Sequence, residues 1–461
     1  MSPVFKNLPE AAYAVSEEEV AALAAALDKD EMTRVALELG NIYSPARGEA
    51  EAAEYVYQWL ANEGFRPRKV GATPERPNII ATYGGKGDGK SLLYTAHLDT
   101  ESPVGNPDED AFKFRQETLD QREWTECWLE DGQFHGFPIA NDRGPMTCFL
   151  FAAKALKACG FELSGRLYLT ASPGEIGPEP IEEMRGIDFM GKEIGTHYVF
   201  NHGGVSADYA IAAEGCDYGL TWVGSGYSVF RIKLFGDSIF TPLLESPALA
   251  SEHPNPIYRM GAAVQSILDW SRKFEEESRY ECEGGASYPK AQIASVRGGV
   301  PHAFGAGTEV CALYLEVGMA PNQQIGEIHR SLESFLRASE IGEFELEPVV
   351  VRHGFEANED KVKPLVSAVD LATRLTTGEP LKRAAPVYSS MWRDHNVFNM
   401  NRVPAVTTGF KRWRPTPDDL VKGALIYAVT ALALCGRAEQ AGGGAASKPV
   451  YGDNPFGGDP A

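Results

Sequence analysis

The chain has 461 residues, with 43 Lys and Arg against 64 Asp and Glu, a formal net charge of −21. A field of that sign repels nucleic acid and anionic membranes, so the expected partner is a small molecule, and the length calls for at least two hydrophobic cores. Seven cysteines at scattered positions read as thiols of a reducing cytoplasm, residues 1–6 lack the charged and apolar regions of a signal peptide, and no apolar run approaches membrane-spanning length.

In chain order, Ser16-Glu17-Glu18-Glu19 carries a capping-box pattern that opens an amphipathic helix, and 49–64 reads as another. Strands are expected near 78–83 and 92–96, then at 166–170 and 209–213, with a helix at 146–156 between them. Strands alternating with helices to about Cys216 imply an α/β domain with a mainly parallel sheet flanked by helices. From Tyr227 the rhythm changes to strand (228–235), helix (256–277), strand (291–297), strand (308–317), helix (322–338) and strand (344–352). That order is the split unit of a ferredoxin-like α+β domain, here inserted as a lid. Helices at 361–375 and 420–435 return the chain to the first domain. The expected division is therefore 1–219 with 357–461, and 220–356, while the Gly- and Ala-rich stretch 438–461 has the composition of a flexible tail.

Four side chains at expected strand ends have the chemistry of metal ligands or their supports. His97 closes the first buried strand, in Thr95-Ala96-His97-Leu98-Asp99-Thr100, and a carboxylate such as that of Asp99 can fix the tautomer of a ligating imidazole. Asp142 lies in Ile139-Ala140-Asn141-Asp142-Arg143-Gly144, Glu175 in Ser172-Pro173-Gly174-Glu175-Ile176-Gly177, and Glu214 ends the apolar stretch 209–213. One imidazole and three carboxylates suit zinc or another divalent transition metal. Taken singly, each acid reads equally well as a solvated loop residue.

The order and spacing of these motifs, from about Glu18 to Ala438, resemble the family of aminoacylases, carboxypeptidase G and succinyl-diaminopimelate desuccinylase, which are metal-dependent exopeptidases and deacylases. The resemblance implies that His97 and Glu214 hold one ion, that Asp142 bridges to a second, and that Asp99 orients His97. It further implies a cis peptide at Asp142–Arg143 and a lid that dimerises, so that a homodimer or higher homo-oligomer is expected. Departures from the pattern are equally specific. The family's paired glutamates are Gly174-Glu175 here, no histidine follows the 403–410 strand, and the lid histidine and asparagine fall at Phe240 and Ala303.

With one carboxylate left at the second site, the expectation is one divalent ion per chain (Zn, Mn or Co) on His97, Asp142 and Glu214, with a second, weak site left open through Asp142 and Glu175. Glu175 is then free to act as the base that takes a proton from the attacking water. His302 and Arg393 are the candidates for substrate binding, Arg393 because its planar fork meets a carboxylate bidentately, while His395 reads as a surface or interface residue and His202 as a loop residue. The function so read is metal-dependent hydrolysis of a C–N bond, an amide, in a small carboxylate-bearing substrate such as an N-acyl amino acid or dipeptide. Two alternatives stay open: an aminohydrolase acting on an electron-poor aromatic amino acid of the nitroanthranilate type, and an inactive relative.

Overall fold

The computed structural model describes residues 5–438. The expected tail therefore lies, apart from Ala438, outside the described residues. An eight-stranded sheet is built from β1 (Arg68–Val70), β2 (Asn78–Gly84), β3 (Leu92–His97), β4 (Arg166–Ser172), β5 (Tyr209–Ala213) and β6 (Gly219–Thr221). A second, four-stranded sheet takes β7 (Gly226–Phe235), β8 (Ala291–Gly298), β9 (Val310–Met319) and β10 (Phe344–Arg352). The chain then returns β11 (Lys382–Arg383) and β12 (Ala405–Thr408) to the large sheet, whose order is β1-β2-β4-β3-β5-β12-β6-β11.

The four central strands β4, β3, β5 and β12 run parallel. Such strands are covered on both faces, which is why β3 is six buried residues without alternation. Covering helices follow suit. Gly144–Ala158 and Pro417–Cys435 are apolar nearly all round and almost wholly buried, and the second begins with a reciprocal Thr416–Asp419 cap. The first helix, Glu17–Ala25, starts with the expected Ser16–Glu19 capping box.

In the second sheet, ordered β8-β9-β7-β10 and wholly antiparallel, β7 alternates strictly between buried and half-buried positions. Phe230, Ile232 and Leu234 pack with the helices Pro256–Glu277 and Ile325–Ala338 into a core of their own. Its opposite face is polar and is bridged by the loop that follows Glu175. Glu179 pairs with Arg352 at 2.7 Å, Glu182 with Arg231 at 2.6 Å and Glu183 with Arg297 at 2.6 Å. The small sheet is thereby tied to a turn at the end of the large one.

One expectation fails locally. Asp142 does not stand at a sheet strand's end: the strand before it, Gln133–His135, belongs to a separate two-stranded hairpin. Residues 139–143 form an irregular turn leading into Gly144–Ala158, and the cis peptide is Asn141–Asp142, one bond earlier than Asp142–Arg143. Asn141 and Asp142 have extended φ values of −143° and −127° inside that turn, which no periodicity in the sequence announces.

Candidate metal centre

Parallel strands deliver their C-terminal ends to one edge, where open α/β sheets gather their sites. The order β4-β3-β5 sets the turn bearing Glu175, His97 and Glu214 side by side, and the 139–143 turn brings in Asp142 from outside the sheet. Ligand atoms of His97, Asp142 and Glu214 lie within 4.8 Å of one another, all buried. Glu175 is not in that cluster. It stands on the wall of an adjoining cavity of about 430 Å³, which Asn141, Lys192, Tyr227, Trp392, Arg393 and Arg412 also line.

Hydrogen bonding fixes the imidazole. His97 Nδ1 donates to the main-chain carbonyl of Asp99 at 2.6 Å, so Nε2 carries the free lone pair. That lone pair faces Asp142 Oδ2 at 3.2 Å, and neither His97 Nε2 nor either Asp142 oxygen has a hydrogen-bond partner. Acceptors set face to face in a buried site require a cation between them, either a proton or a metal ion. Burial alone lowers the pKa of His97, but the carboxylates of Asp142, Glu175, Asp99 and Glu214 outweigh it and lift the value to about 10. Burial, with Glu214 nearby, drives Asp142 well above the usual carboxylate range. The donor set, one imidazole nitrogen and carboxylate oxygens, fits a divalent transition ion.

The carboxylate of Asp99 does a different job from the expected one. It stands 3.7 Å from Nδ1 and accepts instead the main-chain N–H of Glu175 at 3.1 Å and of Ile176 at 2.7 Å. Asp99 thus holds the histidine through its main chain and the Glu175 turn through its side chain. Arg143, fully buried, clamps the end of β3 from the other side, donating to Ser44 Oγ and to the Leu98 carbonyl at 2.7 Å.

Arg393 reaches the site, but Nη1 is already committed to Glu214 Oε2 at 2.7 Å, leaving Nε and Nη2 without partners. His302 sits on the exposed turn between β8 and β9 and does not line the cavity. His395 is an interior residue bonded to Thr407 Oγ1 at 2.7 Å, its pKa lowered to about 3 by burial and by Arg393. Asn141 and Lys192 are cavity residues that sequence reading passes over. Asn141 was hidden beside a better candidate, and Lys192 lies in a loop with no motif around it.

The fold is that of the M20 metallopeptidases of known structure, as the resemblance carried by the sequence motifs implied. Human carnosine dipeptidase 1 is 13% identical and superposes over 92% of this chain and 99% of its own with a TM-score of 0.64. The Bacillus subtilis YXEP protein, described as a dinuclear metal binding peptidase of the M20 family, is likewise 13% identical over 89% of this chain and 99% of its own, with a TM-score of 0.56. In sequence, the chain is 24% identical over 352 residues to the N-formyl-4-amino-5-aminomethyl-2-methylpyrimidine deformylase of Bacillus subtilis (strain 168), covering 72% of this chain and 74% of that protein. No protein-family model matches the chain.

Proposed function

We propose that this chain hydrolyses the amide bond of a small carboxylate-bearing substrate, an N-acyl amino acid or dipeptide. The observation that carries the reading is the set of unpartnered acceptors on His97 and Asp142, next to Glu214 and beside a cavity walled by Glu175, Asn141 and Arg393. One divalent ion per chain, Zn, Mn or Co, is held by His97, Asp142 and Glu214. A second ion would have only Asp142 and Glu175 from this chain, and Glu175 stands outside the cluster. When bound, the ion supplies Lewis acidity toward water and the scissile carbonyl.

The protein side chains do the rest. Glu175 takes the proton of the attacking water at its carboxylate and passes it to the leaving amine, a role open to it because it remains ionised. Burial works against that ionisation, but Lys192, His97 and Arg393 overcome it and keep its pKa below the usual value. Arg393 uses its free edge to orient substrate, and His302 reaches a site only from a partner copy. That assignment goes with a homodimer formed through the lid, whose helix Pro256–Glu277 leaves Ile257, Tyr258, Val264 and Leu268 at least two-fifths exposed.

The two-domain division at 219/220 and 356/357 belongs to the same reading, as does a cytoplasmic location. All seven cysteines are free, and no helix among the described residues is long and apolar enough to cross a membrane. The relatives named above are amide and peptide hydrolases by name, which favours neither alternative.

The deciding experiment is a screen of metal-reconstituted protein against N-acyl amino acids, dipeptides and nitroanthranilate-type aromatics. Release of a free amino acid from the first two classes is expected. Ammonia from the aromatics alone would transfer the assignment to the aminohydrolase, and no turnover with any class would leave an inactive relative.

A further inference from the structure

Lys192 is a buried lysine that makes no direct ion pair. It is 6% exposed, lines the cavity beside Glu175, and points its ammonium at two rings, 5.5 Å from the centroid of Trp392 and 6.0 Å from that of Tyr227. No described carboxylate oxygen lies within 4.0 Å of Nζ. Glu175 feels its charge from beyond that distance, and the other acids around it are taken: Glu179 by Arg352 and Tyr227, Glu193 by Arg352, and Asp394 by Thr196. Arg393 has an arm on Glu214. Aromatic faces stabilise an ammonium only in part, and a buried charge left otherwise unpaired is costly.

The backbone is built to put it there. Gly174 has φ +78°, and a Cβ on it would come within 2.4 Å of the Gly191 carbonyl oxygen; a Cβ on Gly191 would come within 2.5 Å of that of Pro178. Two glycines thus let the segment carrying Lys192 lie directly on the turn carrying Glu175. Arg76 fixes that segment from below, donating to the Met190 carbonyl at 2.6 Å.

We infer that Lys192 docks the substrate's carboxylate between Tyr227 and Trp392, leaving the scissile amide turned toward Glu175 and the His97–Asp142–Glu214 cluster. The inference rests on the proposed amide-hydrolase reading and places the anion contact on Lys192, while Arg393, already committed to Glu214, orients the remainder of the substrate.

The test uses the full-length, metal-loaded protein and two series of probes, N-acetyl amino acids and their neutral amides. Binding is followed by calorimetry on the Glu175→Gln background and turnover on the otherwise unaltered chain. The acids are expected to bind about tenfold or more tighter than the amides, the scale of a charge-assisted hydrogen bond. Lys192→Met should erase that preference, raising KM for the acids relative to the amides by a similar factor with metal content intact, while any fall in kcat from the lost charge beside Glu175 is shared by both series; Lys192→Arg should restore much of the preference. Lys192→Gln serves if the methionine variant does not fold.

A preference that survives both neutral variants overturns the docking role and leaves the hydrolase reading standing. A pH profile of kcat displaced alike for both series, with the acid-over-amide ratio of KM unchanged, also overturns it, leaving Lys192 only its effect on the ionisation of Glu175. If neither series is bound or cleaved, the inference and the reading fall together.

Discussion

Asp99 separates two functions that a motif reading merges. Its main-chain carbonyl fixes His97 and its carboxylate fixes the Glu175 turn, so Asp99→Asn is expected to keep the metal content of the parent while kcat falls about tenfold to a hundredfold, as misplacing a catalytic group does. Had the carboxylate been what orients His97, the same change would weaken metal binding instead. Metal analysis after dialysis, set beside kcat, decides between them. Glu175→Gln should also spare the metal but lower kcat by roughly 10²- to 10⁴-fold, the usual worth of a general base, whereas His97→Ala should abolish metal binding. Residues of this kind were legible because strand ends announce themselves. Asn141 and Lys192 were not, since a buried amide oxygen without a partner and an ammonium set in a cavity wall are properties of three-dimensional surroundings.

Among the elements, the lid was the most readable part of the chain. Its helix at 256–277 and strand at 344–352 fall where periodicity sets them, because an amphipathic element facing one core repeats its pattern throughout its length. The 139–143 turn was the least readable, being neither helical nor extended in period and held by tertiary contacts. The segment 187–192 is likewise set from outside itself. Arg76 and Glu49 form a buried bidentate pair at 2.9 and 2.6 Å, and the same guanidinium donates to the carbonyls of Asp188 and Met190. Arg76→Met should therefore leave the Glu49 carboxylate buried and unpaired, costing about 3–5 kcal/mol in denaturant unfolding. It should also weaken binding of the N-acetyl amino acids, since the segment bearing Lys192 loses its anchor. Unfolding unchanged within 1 kcal/mol, by about the error of such extrapolations, would contradict this.

For the whole molecule, the unpaired apolar stripe on Pro256–Glu277 lies beside β8, an edge strand of its sheet. A dimer formed there should give twice the chain mass by light scattering at micromolar concentration, and Leu268→Glu, placing a charge in the stripe, should shift it to monomer. A monomeric parent protein would refute the dimer. Metal content near one per chain in dialysed protein is expected from the same donor count, and a value near two would overturn the single-ion arrangement. The large-scale plan, a parallel sheet interrupted by an antiparallel lid, was plain in the order of elements. How the loop after Glu175 ties the two sheets together was not, because its acids pair with arginines dozens of residues away.

The contact between Gly174 and Gly191 also bears on how this chain can change. The family pattern that the sequence resembles has a second glutamate where Gly174 stands, and a side chain there would meet a main-chain oxygen at 2.4 Å from a backbone of φ +78°. Regaining that carboxylate by one substitution would strain the turn that carries Glu175, on the order of 1–3 kcal/mol, before any ion could repay the strain. A second carboxylate at this turn is thus not a matter of one substitution: the segment bearing Gly191 would have to withdraw first, taking Lys192 with it.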